Sequence, residues 1–162
     1  MAEDRATLEL FLGEWWKYEA NLVAALAPLS LEQLALRAAP HLLSIGELAQ
    51  HIVAVRAYWF HGLLGEGDEA LAGYAAWDEP GAPARDAVEL RRGLEASWAL
   101  MAEALARWTP ADLRHSFASE RDGRPIQLSR AWVVWHVLEQ NLHHGGELAV
   151  TLNQYGLAAP DL

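Results

Sequence analysis

The sequence predicts an all-α protein: a four-helix bundle with short extra helices and an irregular segment before the last helix. Four long stretches repeat apolar residues at helical spacing, and capping residues, prolines or glycines mark their ends. The connections between these stretches are short or of medium length, which is typical of helical bundles. Strand segments do not alternate with the helical ones, which argues against an α/β fold.

The first long helix is predicted over residues 4–27. Apolar residues recur at helical spacing from Leu8 to Leu26, and Pro28 ends the helix because proline cannot continue it. The sequence Ser30-Leu-Glu-Gln33 then has the pattern of a capping box, in which a serine and a residue three positions later satisfy each other's backbone groups. A short helix is expected there.

A second capping box, Ser44-Ile-Gly-Glu47, opens the next long helix, predicted over about 45–64. Its apolar residues again have helical spacing, and two glycines end it. Residues 65–82 are glycine-rich and acidic and are expected to form a loop. Tyr74 and Trp77 are expected to pack this loop onto the bundle.

The third long helix is predicted over about 84–107, and Thr109-Pro-Ala-Asp112 starts one further turn with proline at its first position. Residues 114–128 do not have a helical pattern. Within them, Asp122-Gly123 is a turn signal between two short extended runs. The last long helix is predicted over about 130–154.

Composition narrows the function classes. The 162 residues are expected to form one domain, residues 1–162, with a sizeable core. A net charge of -10 without a basic cluster argues against nucleic-acid binding. The absence of cysteine excludes disulfides, thiolate metal sites and a cysteine nucleophile. No apolar run reaches the ~18 residues of a membrane span, and no signal-peptide pattern is present. We expect a cytoplasmic protein that binds a small molecule and has neither a membrane nor a nucleic acid as a partner.

A polar seam runs along the last helix. At about 100° per residue, His136, Gln140, His143 and Glu147 fall within roughly 60° of arc, and His144 lies about 40° beyond Gln140. Residues of these types are rarely buried unless they are paired or bind a metal. The seam therefore predicts a site inside the bundle.

His51 is a polar residue in the otherwise apolar second long helix, and two interpretations stay open. A histidine in this setting is commonly a core residue that bonds to a neighbouring helix. The alternative is a metal ligand, because bundle cores build metal sites from facing helices and histidine is the commonest metal ligand. The last helix has no two histidines four residues apart, so a two-histidine helical signature is missing by one residue.

Three residues that follow His144 are also notable. Glu147, three positions after His144, is a candidate ligand, a carboxylate that orients an imidazole, or a general base; the alternative is a surface acid. Gly145 and Gly146 lie in mid-helix, where each costs roughly 1 kcal/mol relative to alanine. The pair indicates close helix packing or access to a site.

Two separated motifs stand out. The first is Ser44-Ile-Gly-Glu-Leu-Ala-Gln-His51-Ile-Val with Tyr58-Trp59, and the second is Trp135-His-Val-Leu-Glu-Gln-Asn-Leu-His-His-Gly-Gly-Glu147. Together they resemble the DinB/YfiT-like superfamily of metal-dependent four-helix-bundle proteins. The order and spacing of the helices also resemble this superfamily over nearly the whole chain.

The resemblance implies three metal-binding histidines, one on the second long helix and two on the last. The first falls on His51 and the third on His144, but the second falls on Gln140. An amide oxygen is a weak ligand for zinc or nickel. Under this resemblance Gln140 coordinates weakly, or His136 or Glu147 compensates as a substitute, or the site is vestigial.

The resemblance also implies two alternative functions. Relatives include metal-dependent transferases and isomerases that use mycothiol, bacillithiol or glutathione. The first hypothesis is a metal-dependent enzyme, a transferase for a low-molecular-weight thiol, with zinc or nickel as cofactor and Glu147 as its catalytic residue. The second is a non-catalytic bundle that binds a small ligand or acts in stress response, with a vestigial metal site. A homodimer is expected from the habit of the family.

Overall fold

A computed structural model describes residues 2–121 and 123–160 and confirms the predicted all-α bundle. Four long helices pack against one another. They are α1 (Ala2–Leu26), α3 (Ile45–Ala57), α5 (Ala87–Arg107) and α7 (Arg130–Gln154). Helix α3 packs against both α7 and α5, so it contacts two other long helices of the bundle. None of the described helices has the length and hydrophobicity that crossing a membrane requires.

Short elements form the connections. The helical ones are α2 (Leu31–Leu34), a 3-10 turn (Glu69–Leu71), α4 (Ala72–Ala75) and α6 (Pro110–Arg114). The irregular segment before α7 is an antiparallel hairpin whose strands are β1 (Ser116–Arg121) and β2 (Arg124–Ser129). The strands pair as far as Arg121 with Arg124, on either side of the turn predicted at Asp122-Gly123. Gly123 has a φ of +72°, a conformation that glycine adopts without steric cost, while Asp122 lies outside the described residues.

Local capping explains where helices begin. Both predicted capping boxes, at Ser30 and Ser44, are formed. The third long helix starts at Ala87, three residues later than predicted, because the Asp86 side chain accepts a hydrogen bond from the Glu89 backbone N–H in a further capping box. This third box was not among the predicted ones.

The second long helix is not regular to its end. After Ala57 it continues as a π-helical turn, Tyr58–Leu63, where the Leu64 N–H donates to the Trp59 carbonyl five residues back. Such wider turns often lie at functional sites. Apolar periodicity predicted the extent of this segment but not its change of helix type.

The core contains two apolar clusters with a layer of polar residues between them. Along each long helix, one buried polar residue separates the members of one cluster from those of the other. These residues are Glu19, Arg56, Ser97 and Asn141. Arg56 is fully buried and donates from Nη1 to Glu19 Oε1 at 2.9 Å and from Nε to Asn141 Oδ1 at 3.3 Å. The layer links α1, α3 and α7, and burial of the ion pair is tolerable because its charges are mutually bonded.

Gly145 marks a close approach between α7 and α1. The Tyr18 hydroxyl donates to the Asn141 carbonyl oxygen at 2.8 Å, and a Cβ atom at Gly145 would lie 1.7 Å from that hydroxyl oxygen. Burial raises the pKa of Tyr18 to about 12, with Arg56 lowering it and Glu19 raising it further, so the hydroxyl keeps its proton. A Cβ at Gly146 would meet no atom within 4 Å. Of these two adjacent glycines, only Gly145 is required for packing.

Candidate metal centre

His51 of α3 and His144 of α7 meet where these two helices pack together. Their ring centroids lie 4.6 Å apart, and the rings are nearly perpendicular, at 84°. Both side chains are partly buried, with 27% of His51 and 15% of His144 exposed. The structure therefore brings together the two histidines that the sequence analysis assigned to facing helices.

Gln140 and Glu147 flank His144 on the same helix. Positions four before and three after His144 project from the same side of a helix as His144 does. The Gln140 Oε1 atom lies 3.0 Å from His144 Nε2, and the Glu147 Oε2 atom lies 2.8 Å from His144 Nδ1. Each ring nitrogen of His144 thus has its own side-chain partner.

The protonation state of His144 determines which of its ring nitrogens donates a hydrogen bond and which accepts one. Burial lowers the pKa of His144; the hydrogen bond to Glu147 raises it, and the nearby His51 lowers it. The net effect is a lowered pKa, so the ring is neutral at pH 7 and carries one proton. That proton is on Nδ1, where it is donated to the Glu147 carboxylate, which leaves the lone pair on Nε2. Gln140 satisfies this lone pair when its amide is turned so that the nitrogen donates.

Asp78 is a site residue that the sequence analysis missed. The Nδ1 atom of His51 lies 2.7 Å from Asp78 Oδ2, and Asp78 belongs to the connection between α4 and α5. Trp77, next to it, is 8% exposed and packs this connection onto the bundle, as predicted. A turn pattern, Asp78-Glu-Pro-Gly81, is present in the sequence, but no periodicity relates a loop position to a helix 27 residues away.

A second group of ligand atoms lies on the outer side of His144. The Glu147 Oε1 atom is 3.4 Å from His143 Nε2, and the candidate ligand atoms of His143, His144 and Glu147 all lie within 4.8 Å of one another. His143 is 63% exposed. A cation there would use Nδ1 of His144, whereas a cation between α3 and α7 would use Nε2.

His136 lies apart from both groups. Its ring stacks on Trp132, with centroids 4.7 Å apart, and meets Trp59 edge-on at 5.1 Å. Its Nδ1 atom is 3.6 Å from Glu139 Oε2. His136 precedes His144 by two helical turns, or about 12 Å along the axis at 1.5 Å per residue. It does not take the position of Gln140.

A cavity of about 440 Å³ opens beside His51 and Asp78, between α2, the start of α3 and the connection that precedes α5. Its wall combines apolar and charged side chains, including Leu34, Trp77 and Arg85. This volume lies within the ~300–1,000 Å³ range of small-molecule sites.

The donor set fits a divalent transition metal, but with one weak member. Two imidazole nitrogens suit zinc or nickel, and they come from side chains whose rings are in contact. The third donor, the amide oxygen of Gln140, suits these metals less well. His51, Gln140 and His144 are the residues that would hold the ion between the helices.

Comparisons with known proteins agree with this architecture. The family model described as DinB family matches residues 3–162. Among solved structures, the chain is similar to a DinB-like protein from Bacillus cereus ATCC 10987, with 26% sequence identity and a TM-score of 0.70. The match covers 95% of this chain and 96% of that one. None of the curated proteins matches the chain.

Proposed function

The chain belongs to the DinB family, and from this premise we propose that it is a metal-dependent enzyme. The reaction we propose is transfer of a low-molecular-weight thiol to an electrophile. The observation that carries this proposal is the contact between the His51 and His144 rings, 4.6 Å between centroids, on two facing helices of a bundle. Zinc or nickel is the cofactor we propose, since two imidazole nitrogens favour these ions.

In this proposal each residue has a separate role. His51 and His144 bind the cation through nitrogen, and Gln140 supplies a weak oxygen ligand after giving up its hydrogen bond to His144 Nε2. Glu147 holds Nδ1–H of His144 and so orients the ring for binding through Nε2. Glu147 is also 45% exposed, which leaves it accessible to accept the proton that a thiol must lose.

The bound cation would act as a Lewis acid that lowers the pKa of the thiol. The chain itself would contribute the cavity of about 440 Å³ beside His51, to which we assign the substrates. Joining the two substrates would form a bond from sulfur to the electrophilic carbon. The S–H bond breaks and releases the thiol proton, and the bond from that carbon to a leaving group breaks with its electron pair departing on the leaving group. Glu147 is the residue to which we assign that proton.

Substitution of Gln140 by histidine tests the proposed ligand set. Gln140→His completes three histidines, and the metal affinity of the site should rise because imidazole is the better ligand for zinc and nickel. A ligand at a hundredfold excess over its Kd stabilises the folded state by about 2.7 kcal/mol. For a chain of this size that corresponds to a rise in Tm of roughly 5–10 °C, which a chelator should abolish.

Two control variants separate the inner site from the outer group. His51→Ala, added to Gln140→His, should remove the metal-dependent rise in Tm because only one helix then supplies ligands. His143→Ala should leave the rise intact. A Gln140→His protein that gains no response to zinc or nickel would contradict convergence of these side chains. A response that His143→Ala removes would instead assign the cation to the outer group.

Activity is tested separately, on metal-loaded protein. Consumption of glutathione in the presence of a model electrophile should depend on the metal and fall in the Glu147→Gln variant. Metal-loaded protein that binds zinc or nickel tightly but accelerates no thiol transfer would refute the reaction while leaving the metal site intact.

A non-catalytic bundle that binds a small ligand, with a vestigial metal site, is the second candidate. One observation favours it: Gln140 already engages His144 Nε2, the nitrogen that a cation would need. Under this alternative, elemental analysis of protein expressed with added zinc or nickel should find less than one ion per chain, and the seam is a hydrogen-bonded network.

We also propose a homodimer formed through the outer face of α7. Trp135, Leu142 and Val150 are 62%, 50% and 64% exposed, and they fall within about 80° of arc on that helix. Exposed apolar patches mark protein interfaces, and we assign these three side chains to one. Sedimentation velocity should find about twice the 17.9 kDa chain mass, and Trp135→Ala should shift the protein toward monomer. A 17.9 kDa species alone at micromolar concentration would refute the dimer.

A further inference from the structure

We infer that Asp78 is a positioning residue for His51, fixing the ring with its proton on Nδ1 and its lone pair on Nε2. The consequence for metal affinity rests on the proposed function, but the effect on the ring does not. The Asp78 carboxylate Oδ2 lies 2.7 Å from His51 Nδ1. Which nitrogen of a neutral histidine keeps its proton is determined by the hydrogen bond made at that nitrogen.

Both candidate ligand histidines then have a carboxylate at Nδ1. Glu147 accepts the Nδ1 proton of His144, and Asp78 accepts that of His51. Among the residues that the structure describes, none forms a hydrogen bond with Nε2 of His51. A carboxylate on one ring nitrogen of a ligand histidine orients the ring and makes the other nitrogen a stronger donor to the metal. Asp78 is thus for His51 what Glu147 is for His144, a carboxylate on Nδ1.

Asp78 can do this only if its loop is held in place, and Gln50 holds it. Gln50 precedes His51 on α3 and is 5% exposed. Its Nε2 group donates to the carbonyl oxygens of Trp77 at 2.8 Å and Pro83 at 3.2 Å, and its Oε1 accepts from the Arg85 N–H at 3.3 Å. One buried side chain therefore ties both ends of segment 77–85 to the helix that carries His51.

The Trp77 ring gives segment 77–85 a second anchor. Gly93 of α5 leaves room for the ring: a Cβ atom there would lie 2.6 Å from Trp77 Cη2. The Arg85 guanidinium lies over the Trp77 ring, 5.0 Å from its centroid, and Arg85 also pairs with Glu89 at 3.0 Å. Because of these contacts, Asp78 extends from a segment that is held at both ends, although its own side chain is 34% exposed.

The protonation state of the His51 ring nitrogens tests the inference directly in metal-free protein. Long-range ¹H–¹⁵N NMR spectra should place the His51 ring proton on Nδ1 in the unmodified chain and lose that preference in Asp78→Ala. Asp78→Asn should retain part of it, since the amide oxygen still accepts from Nδ1–H. Glu79→Ala is the matched control: it removes the same charge one position away and should leave the His51 signals unchanged.

Metal affinity supplies the second measurement. Asp78→Ala should weaken zinc binding 10–100-fold, the usual effect of removing a carboxylate that orients a ligand histidine. Glu79→Ala should not, which excludes a general electrostatic effect of the lost charge. Gln50→Ala, which removes the three bonds to segment 77–85, should shift both the His51 signals and the affinity in the direction of Asp78→Ala.

The results that overturn the inference differ from those that overturn the proposed function. A His51 ring protonated on Nε2 in the unmodified chain, or unaffected by Asp78→Ala, would overturn the positioning role. If the ring depends on Asp78 but the protein binds neither zinc nor nickel, the positioning role stands and the metal-dependent function fails.

Discussion

Two adjacent glycines of α7 should respond in opposite directions to the same substitution. Gly145→Ala brings a Cβ atom to 1.7 Å from the Tyr18 hydroxyl oxygen and 2.9 Å from Tyr18 Cζ, distances at which the ring must move. Gly146→Ala meets no atom within 4 Å. Both changes replace a glycine in mid-helix, so their effects on helix propensity are matched and any difference reports on the contact with Tyr18.

The expected magnitudes follow from these contacts. Alanine is favoured over glycine inside a helix by about 1 kcal/mol, so Gly146→Ala should raise the free energy of unfolding by about that amount. At Gly145 two losses outweigh this gain in helix propensity. Displacing Tyr18 breaks its hydrogen bond to the Asn141 carbonyl, worth about 1 kcal/mol. Overpacking adds about 1–3 kcal/mol. We expect a net loss of roughly 1–3 kcal/mol for Gly145→Ala.

Urea denaturation of the two variants and the unmodified chain measures this difference, and thermal denaturation should place their Tm values on opposite sides of the unmodified one. About 1 kcal/mol corresponds to roughly 2–4 °C for a chain of this length. Tyr18→Phe removes the closest atom and should rescue part of the Gly145→Ala loss in a double-mutant cycle. Equal stabilisation by both alanines would refute the close approach of α1 and α7 at this point.

Three further substitutions test the core, the cap of α3 and segment 77–85. Glu19→Ala leaves the fully buried Arg56 without its counter-charge and should lower the free energy of unfolding by about 3–5 kcal/mol in urea denaturation; a loss below about 1 kcal/mol would contradict the buried pair. Burial raises the pKa of Glu47, but bonds from Ser44 and Arg37 outweigh this and lower it. A lowered pKa gives stability that is present above the unfolded-state pKa, 4.5, and lost as the pH falls through the folded-state value. Glu47→Gln should therefore destabilise the protein at pH 7 and cease to do so under acid conditions, and a loss that is independent of pH would refute this assignment. Gly93→Ala should displace the Trp77 ring and lower the free energy of unfolding by about 1–3 kcal/mol; an unchanged value would mean that the ring is not held against α5.

Features that depend on a few neighbouring residues could be predicted from the sequence. The capping boxes at Ser30 and Ser44 close hydrogen bonds within three positions, so their residues alone specify them. Apolar residues at helical spacing likewise predict four amphipathic helices, since one face of each must be buried. The proximity of His51 and His144 followed once the family pattern related two such helices to each other.

Helical spacing alone did not decide which seam residues act together. His136 lies on the same seam as Gln140 and Glu147, yet two turns of helix separate it from His144, and its ring packs with Trp59 and Trp132 instead. An angular projection along the helix does not record the rise of 1.5 Å per residue. Which neighbouring helix lies beside each turn then determines the partner.

Only the tertiary structure assigned Asp78 to His51, Gly145 to Tyr18 and the polar layer to the centre of the bundle. A loop carboxylate has no period that relates it to a helix, so its partner depends on how Gln50 and Trp77 fasten the loop. The glycine pair is equivalent in sequence, but the two positions differ by about 100° around α7, and only one of them faces α1. A few consecutive residues specify a local hydrogen bond. Contacts between elements form only when the packing of helices brings distant positions within bonding distance.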